Sequence, residues 1–272
     1  GFAGCNKLET DPRRGKGMSL QACAEQVRRG DPDRFLSAMT APPDARAKLF
    51  PLYAFNLEVA RAPWVTEEPM IAEMRLQFWR DAVEEIGDSK PPRAHEVVAP
   101  LAAVVREAGL PVEVFDALIT ARRWDIYRDP FKDQADFDSY IDKTAGGLMW
   151  LSALSLGAEP SQERAIRDYA YAAGVANWLR AVPELDARGR IPLLDGRASG
   201  VAELAKTALK RLKYARPDVG KNCSAALRAG WQTRSILMQA MSEPERVGEG
   251  TLGTSEFRRK GSLLWKSAIY SW

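Results

Sequence analysis

Leu52-Tyr53-Ala54-Phe55-Asn56-Leu57-Glu58-Val59-Ala60-Arg61-Ala62-Pro63-Trp64 decides how the rest of the chain is read. With Leu49 before it, its apolar residues follow the helical period, which predicts a long helix starting at Pro42-Pro43-Asp44 and closed by Pro63. Pro51 should kink that helix unless the helix begins there. Glu58 is the only acid in the stretch. It lies two residues from Ala60, roughly 200° around the axis, and so faces elsewhere.

The same period recurs outward in both directions. Leu20, Cys23 and Val27 open a helix that ends at Gly30, and Pro32 sits at an N1 position before Phe35 and Met39. Ile71 to Ile86 ends at Gly87, Val97 to Val105 ends at Gly109, and Pro111 starts the next helix. A helix over 137–156 is interrupted at Gly146-Gly147. One from Ser161 runs toward Val182, followed by a loop from Pro183 to Gly200. Amphipathic helices fit near 201–214, 220–241 and 255–270. Period-2 alternation is absent, so the expectation is all-α, a single helical bundle over 18–272. Residues 1–17 lack an initiator Met, and Met18 looks like a natural start. They read as a leader or added segment outside the fold.

Composition removes several classes. Lys+Arg 39 against Asp+Glu 36 is too balanced for a nucleic-acid partner. The single His95 excludes multi-histidine metal sites and reads as a surface or capping residue. Cys5, Cys23 and Cys223 show neither metal spacing nor a disulfide framework, which points to a reducing compartment. No apolar run approaches the ~20 residues that span a bilayer.

Several motifs then stand in order: Tyr53-Ala54-Phe55; Leu76-Gln77-Phe78-Trp79; Asp125 after Arg122-Arg123-Trp124; Tyr140 with Ala145-Gly146-Gly147; Asn177-Trp178-Leu179-Arg180-Ala181-Val182-Pro183-Glu184-Leu185; and Gly189-Arg190-Ile191-Pro192-Leu193. Together, over about residues 30–195, they resemble the squalene/phytoene synthase family. The resemblance implies an isoprenoid-synthase-type bundle. In that family two aspartate-rich clusters face each other and hold prenyl diphosphate through Mg²⁺. At the matching positions this chain has Ala60, Arg61 and Trp64 in the first cluster and Ala181 and Leu185 in the second. None offers the hard oxygen ligand magnesium needs.

Ala54-Phe55-Asn56, Met74-Arg75-Leu76-Gln77-Phe78-Trp79 and Leu179-Arg180-Ala181-Val182-Pro183 are similar to one lineage with the same loss. That lineage is the complex I assembly factor of squalene/phytoene-synthase-like type, found in mitochondria with relatives in bacteria. The implied function is a non-catalytic binding or assembly factor in the bacterial cytoplasm or the mitochondrial matrix. Its partner would be a respiratory complex subunit or assembly intermediate. No metal and no cofactor are expected. The alternative is a prenyl-diphosphate transferase with a rearranged Mg²⁺ site built from Asp125, Glu184 and Asp186.

A lipid or isoprenoid pocket is expected from Tyr53, Phe55, Asn56, Trp79, Gly146, Gly147, Asn177, Arg180 and Arg190. Trp64 and Leu185, larger than aspartate, should partly fill it. Arg180, Arg188 and Arg190 read either as counter-charges at its mouth or as a salt-bridged loop. Trp124, Trp150 and Trp178 read as pocket or as core. Asp81, Glu84 and Glu85 read as a solvated helix face. The C-terminal helix carries Leu264, Trp265 and Ile269 beside Arg258, Lys260 and Lys266, so it could lie on a membrane or on a partner, or pack on the bundle.

Overall fold

Fourteen helices follow one another in the computed structural model, which describes residues 12–215, 219, 221, 223–269 and 271–272, with side chains from residue 19. They are α1 (Pro12–Gly30), α2 (Pro32–Met39), α3 (Pro43–Arg61), α4 (Pro69–Gly87), α5 (Val98–Ala108), α6 (Val112–Ala121), α7 (Gln134–Ile141), α8 (Gly147–Ser155), α9 (Glu163–Ala187), α10 (Ala198–Ala215), α11 (Ser224–Leu227), α12 (Thr233–Ser242), α13 (Glu245–Gly248) and α14 (Glu256–Ala268). Among the described residues there is no strand. Residues 1–11, including Cys5, lie outside the described residues, so the leader reading is met only by a helix α1 that starts at Pro12.

The long helix around Leu52 does not break at Pro51. α3 runs through it, although Pro51 leaves the carbonyl of Ala47 without its amide partner, a defect of roughly 3 kcal/mol. Leu49, Phe50, Leu52, Tyr53, Ala54 and Phe55 are all buried around it, and that burial outweighs one lost hydrogen bond. Pro183 behaves the same way. The expected loop from Pro183 is instead the last turn of α9, which continues to Ala187 because Val182 and Leu185 are buried on either side.

α5 stops where its glycine predicts, with Gly109 left-handed at φ 60°. The interruption before Gly146-Gly147 takes a definite form: Asp142–Gly146 is a π-helical turn between α7 and α8. Such a turn inserts an extra residue and shifts the face each helix presents. It lets α9 approach closely. A Cβ on Gly174 would stand 2.7 Å from both Ala145 Cβ and Ile141 Cγ2. One core gathers α1, α3, α5, α6 and α8 around Phe55 and Leu118; a second gathers α7, α9, α10 and α12 around Trp178 and Leu237.

Gly174→Ala tests the close crossing. Neither Ala145 nor the β-branched Ile141 can swing away, so the substitution should cost about 1–3 kcal/mol in urea unfolding. A neutral result would mean that α9 and the π-turn are not in contact in solution.

Candidate functional site

The last turn of α3 supplies Ala60 and Arg61, with Trp64 just beyond it. The last turns of α9 supply Ala181 and Leu185. All five line one cavity of about 540 Å³. Asn56, Asn177, Arg180, Asp125 and Glu184 line the same cavity, and Tyr53 lines a small annex beside it with Asn177. Trp64 and Leu185 occupy part of the space between the two helices, and the cavity stays open around them.

Other candidates lie elsewhere. Phe55 is core, edge-on to Trp79 at 5.5 Å and to Phe115 at 5.3 Å. Trp79 packs on His95, whose Nδ1 accepts the Val97 amide at 3.1 Å in front of α5. A Cβ on Gly146 would meet Asp142, and one on Gly147 would meet Val114, so these glycines serve helix packing. Asp186 and Arg190 line a second cavity of about 370 Å³ under the end of α9. Asp186 is carried away from the first cavity because α9 continues one more turn past Pro183. Glu58 pairs with Gln26 of α1, away from Ala60 as its spacing predicts. Arg93 bridges Glu85 and Asp81 on the outer side of α4.

Arg190 is not a free counter-charge. It is buried, it donates to the carbonyls of Asp125 and Trp124, and its guanidinium lies over the rings of Trp64 at 5.1 Å and Trp124 at 5.4 Å. Two carbonyls and two aromatic faces replace the water a loop arginine would have kept. Arg188 covers Trp64 at 4.8 Å and pairs with Glu184 at 2.6 Å. Trp64, directly after α3, is thus gripped by two arginines directly after α9. Each such contact is worth about 0.5–2 kcal/mol.

The remaining cavity acids are also engaged. Asp125 is buried, accepts the Tyr140 hydroxyl at 2.9 Å and pairs with Arg122 at 3.5 Å. Burial pushes its carboxyl above the usual range, and Arg122 and Tyr140 pull it only part of the way back. Arg123, one position away, turns outward to Glu73. Asp33, at the start of α2, accepts from Arg180 at 3.1 Å, Gln232 at 2.9 Å and Arg259 at 2.6 Å. Asp31 caps α2 by accepting the Arg34 amide, and pairs with the Arg34 side chain at 3.0 Å. Among the described residues no group of three or more His, Cys, Asp or Glu side chains is placed to share a cation. The Arg61 side chain carries no hydrogen bond or ion pair among them, so it leaves one positive charge open on the cavity lining.

Asp31, Asp33 and Arg34 were missing from the residues singled out by sequence. Asp31 before Pro32 signals only a helix start. Asp33 meets partners up to 226 positions away, which no local spacing reveals. Trp124 and Trp178 belong to an aromatic cluster with Phe131 and Tyr140, where Trp178 also faces the cavity. Trp150 is core.

Against this geometry the comparisons with known proteins fall into place. The family model for squalene/phytoene synthase matches residues 27–232, and the chain belongs to that family. The fold is shared with a dehydrosqualene synthase solved in complex with ligand (TM-score 0.80, 18% identity, 96% of this chain and 99% of that one). It is shared also with squalene synthase HpnC from Alicyclobacillus acidocaldarius (TM-score 0.63, 17% identity, 96% and 97%). In sequence the chain is similar to NADH dehydrogenase (ubiquinone) complex I, assembly factor 6, of Bos taurus, with 29% identity over 171 residues, 62% of this chain and 51% of that protein. The Drosophila melanogaster homolog is 28% identical over 177 residues, 61% and 52%. The chain spans about half the length of these curated relatives.

Asp125 gives a pH signature. Its folded pKa lies above its unfolded one, so the native state holds the proton more tightly. Its contribution to stability is greatest below the unfolded pKa and falls as pH rises through the folded value. Urea midpoints of the wild type should therefore carry a component that falls as pH rises above about 4 and that Asp125→Asn lacks, whatever stability the variant loses by leaving Arg122 unpaired. Identical slopes for the two proteins would contradict the assignment.

Proposed function

We propose that this chain is a non-catalytic member of its family, a binding or assembly factor of the complex I assembly factor type. One observation carries the reading. The positions that, by resemblance, match the enzymes' aspartates are Ala60, Arg61, Trp64, Ala181 and Leu185, and all five line one open cavity. Each acid that does line the cavity is tied to an arginine.

The magnesium of the enzymes does not fit these residues. A hard cation needs several unencumbered oxygens around it. Here Asp31, Asp33, Asp125 and Glu184 already neutralise Arg34, Arg180, Arg122 and Arg188. The transferase alternative loses support for the same reason, and because Asp186 opens onto the other cavity.

The cavity fits an elongated apolar molecule with one anionic end. Leu148, Ile141, Ile236 and Trp178 supply apolar wall, and Arg61 supplies the open charge on the lining. A lipid or isoprenoid has that form. The protein partner in this reading is a subunit or assembly intermediate of a respiratory complex, met in the bacterial cytoplasm or mitochondrial matrix. No helix among the described residues is long and apolar enough to cross a membrane, so any membrane contact by them is peripheral.

The test is genetic and biochemical together. Deletion of the gene should lower NADH:quinone oxidoreductase activity and assembled complex I. Wild type should restore both, and so should a variant with Glu184→Gln and Asp186→Asn, which removes two exposed acids of the three the transferase alternative would need. Native capture from respiring cells should recover complex I subunits. Normal complex I in the deletion strain, with loss of an isoprenoid product instead, would overturn the reading.

A further inference from the structure

α14 is held to the bundle by one face only. Arg259 reaches Asp33, Leu263 is its one buried residue, Lys266 Nζ donates to the Trp231 carbonyl at 3.3 Å, and Ser267 Oγ donates to the Thr40 carbonyl at 3.5 Å. Positions 259, 263, 266 and 267 share one side of a helix. The other side carries Phe257, Leu264, Trp265 and Ile269, which are 88%, 67%, 68% and 53% exposed. Four large apolar side chains side by side in water are unusual for a surface helix without a partner.

Their setting says which partner. At about 100° per residue, Lys260 projects at the edge of the apolar strip beside Leu264, and Arg258 projects within it, between Trp265 and Ile269. The segment from Glu256 to Trp272 has four cations, Arg258, Arg259, Lys260 and Lys266, and one carboxylate, Glu256. Glu256 is engaged by Lys260 at 2.5 Å. Exposed Arg234 of α12 adds its charge close enough to weaken the proton of Lys266, behind the burial that is the main cause. An aromatic and aliphatic strip on a lone surface helix, with one cation at its edge and one among its apolar side chains, is a ridge and not a groove. It suits a flat, anionic, apolar-cored surface.

We propose that α14 lies flat on an anionic lipid surface, with Phe257, Leu264, Trp265 and Ile269 at the boundary of headgroups and acyl chains and Arg258 and Lys260 among the headgroups. The placement bears on the cavity. α14 packs beside Arg228–Gly230, of which Ala229 and Gly230 are cavity wall, and Arg259 holds the cavity residue Asp33. Docking by α14 therefore sets that wall of the cavity close to the bilayer. The inference stands independently of the assembly role, since it uses only the outer face of one helix.

The full chain should float with vesicles of phosphatidylcholine containing about a third phosphatidylglycerol, and much less with phosphatidylcholine alone. Added salt should weaken the interaction. Leu264→Ser with Trp265→Ser, and separately Phe257→Ser, should each reduce the bound fraction about tenfold, with circular dichroism and melting temperature unchanged because these side chains are exposed. Wild-type failure to float with anionic vesicles would overturn the proposal, and so would equal flotation by the variants. A concentration-dependent dimer that the double variant dissolves would overturn it too, by making the strip an interface between copies.

Discussion

The grip of Arg188 and Arg190 on Trp64 closes the end of the bundle where two long helices converge. α3 and α9 both point their C-termini at this corner, and a helix C-terminus carries roughly half a negative charge. Two such ends cannot be brought together around an open cavity without positive charge between them. Arg61, Arg188 and Arg190 supply it from the chain itself. Trp64 turns part of that charge into adhesion, since its ring takes both guanidinium groups at distances near 5 Å.

The rest of the cavity follows the same logic. Each acid that lines the cavity has an arginine partner, only Glu184 taking its own from the rim, and Asp33 serves three donors from three different parts of the chain. The buried group of Asp125, Tyr140 and Arg122 repeats the arrangement deeper in. Paired charges of this kind hold helices in register and keep a cavity from collapsing, though each pays part of its worth back in desolvation. What remains is an open cavity with both apolar and polar wall, in which the Arg61 side chain has no partner among the described residues.

Much of this was legible in the chain. The periodicity that makes α3 a helix is carried by Leu49, Leu52, Tyr53 and Phe55, and the glycine that ends α5 has the left-handed conformation its position predicts. That Ala60 and Trp64 share a cavity with Ala181 and Leu185 was implied by the family resemblance and not by periodicity or spacing. Pro183 misled because its local rule is a cost of one hydrogen bond, and burial of Val182 and Leu185 on either side of it exceeds that cost. That difference moved Asp186 off the cavity. Arg190 misled because a loop arginine is ordinarily solvated, and nothing in Gly189-Arg190-Ile191 announces the two tryptophan faces that receive it. Asp33 was illegible for a different reason: its role exists only after α9, α12 and α14 have been folded against α2.

The central claim is that arginines have replaced metal at this site. It is tested most directly by calorimetry of the purified chain with a non-hydrolysable farnesyl diphosphate analogue, with and without Mg²⁺, beside an assay for turnover of farnesyl and geranylgeranyl diphosphates. The account predicts no turnover, and any analogue binding to be indifferent to Mg²⁺ and weakened by Arg61→Ala. Stoichiometric Mg²⁺-dependent binding, or condensation of either diphosphate, would contradict it.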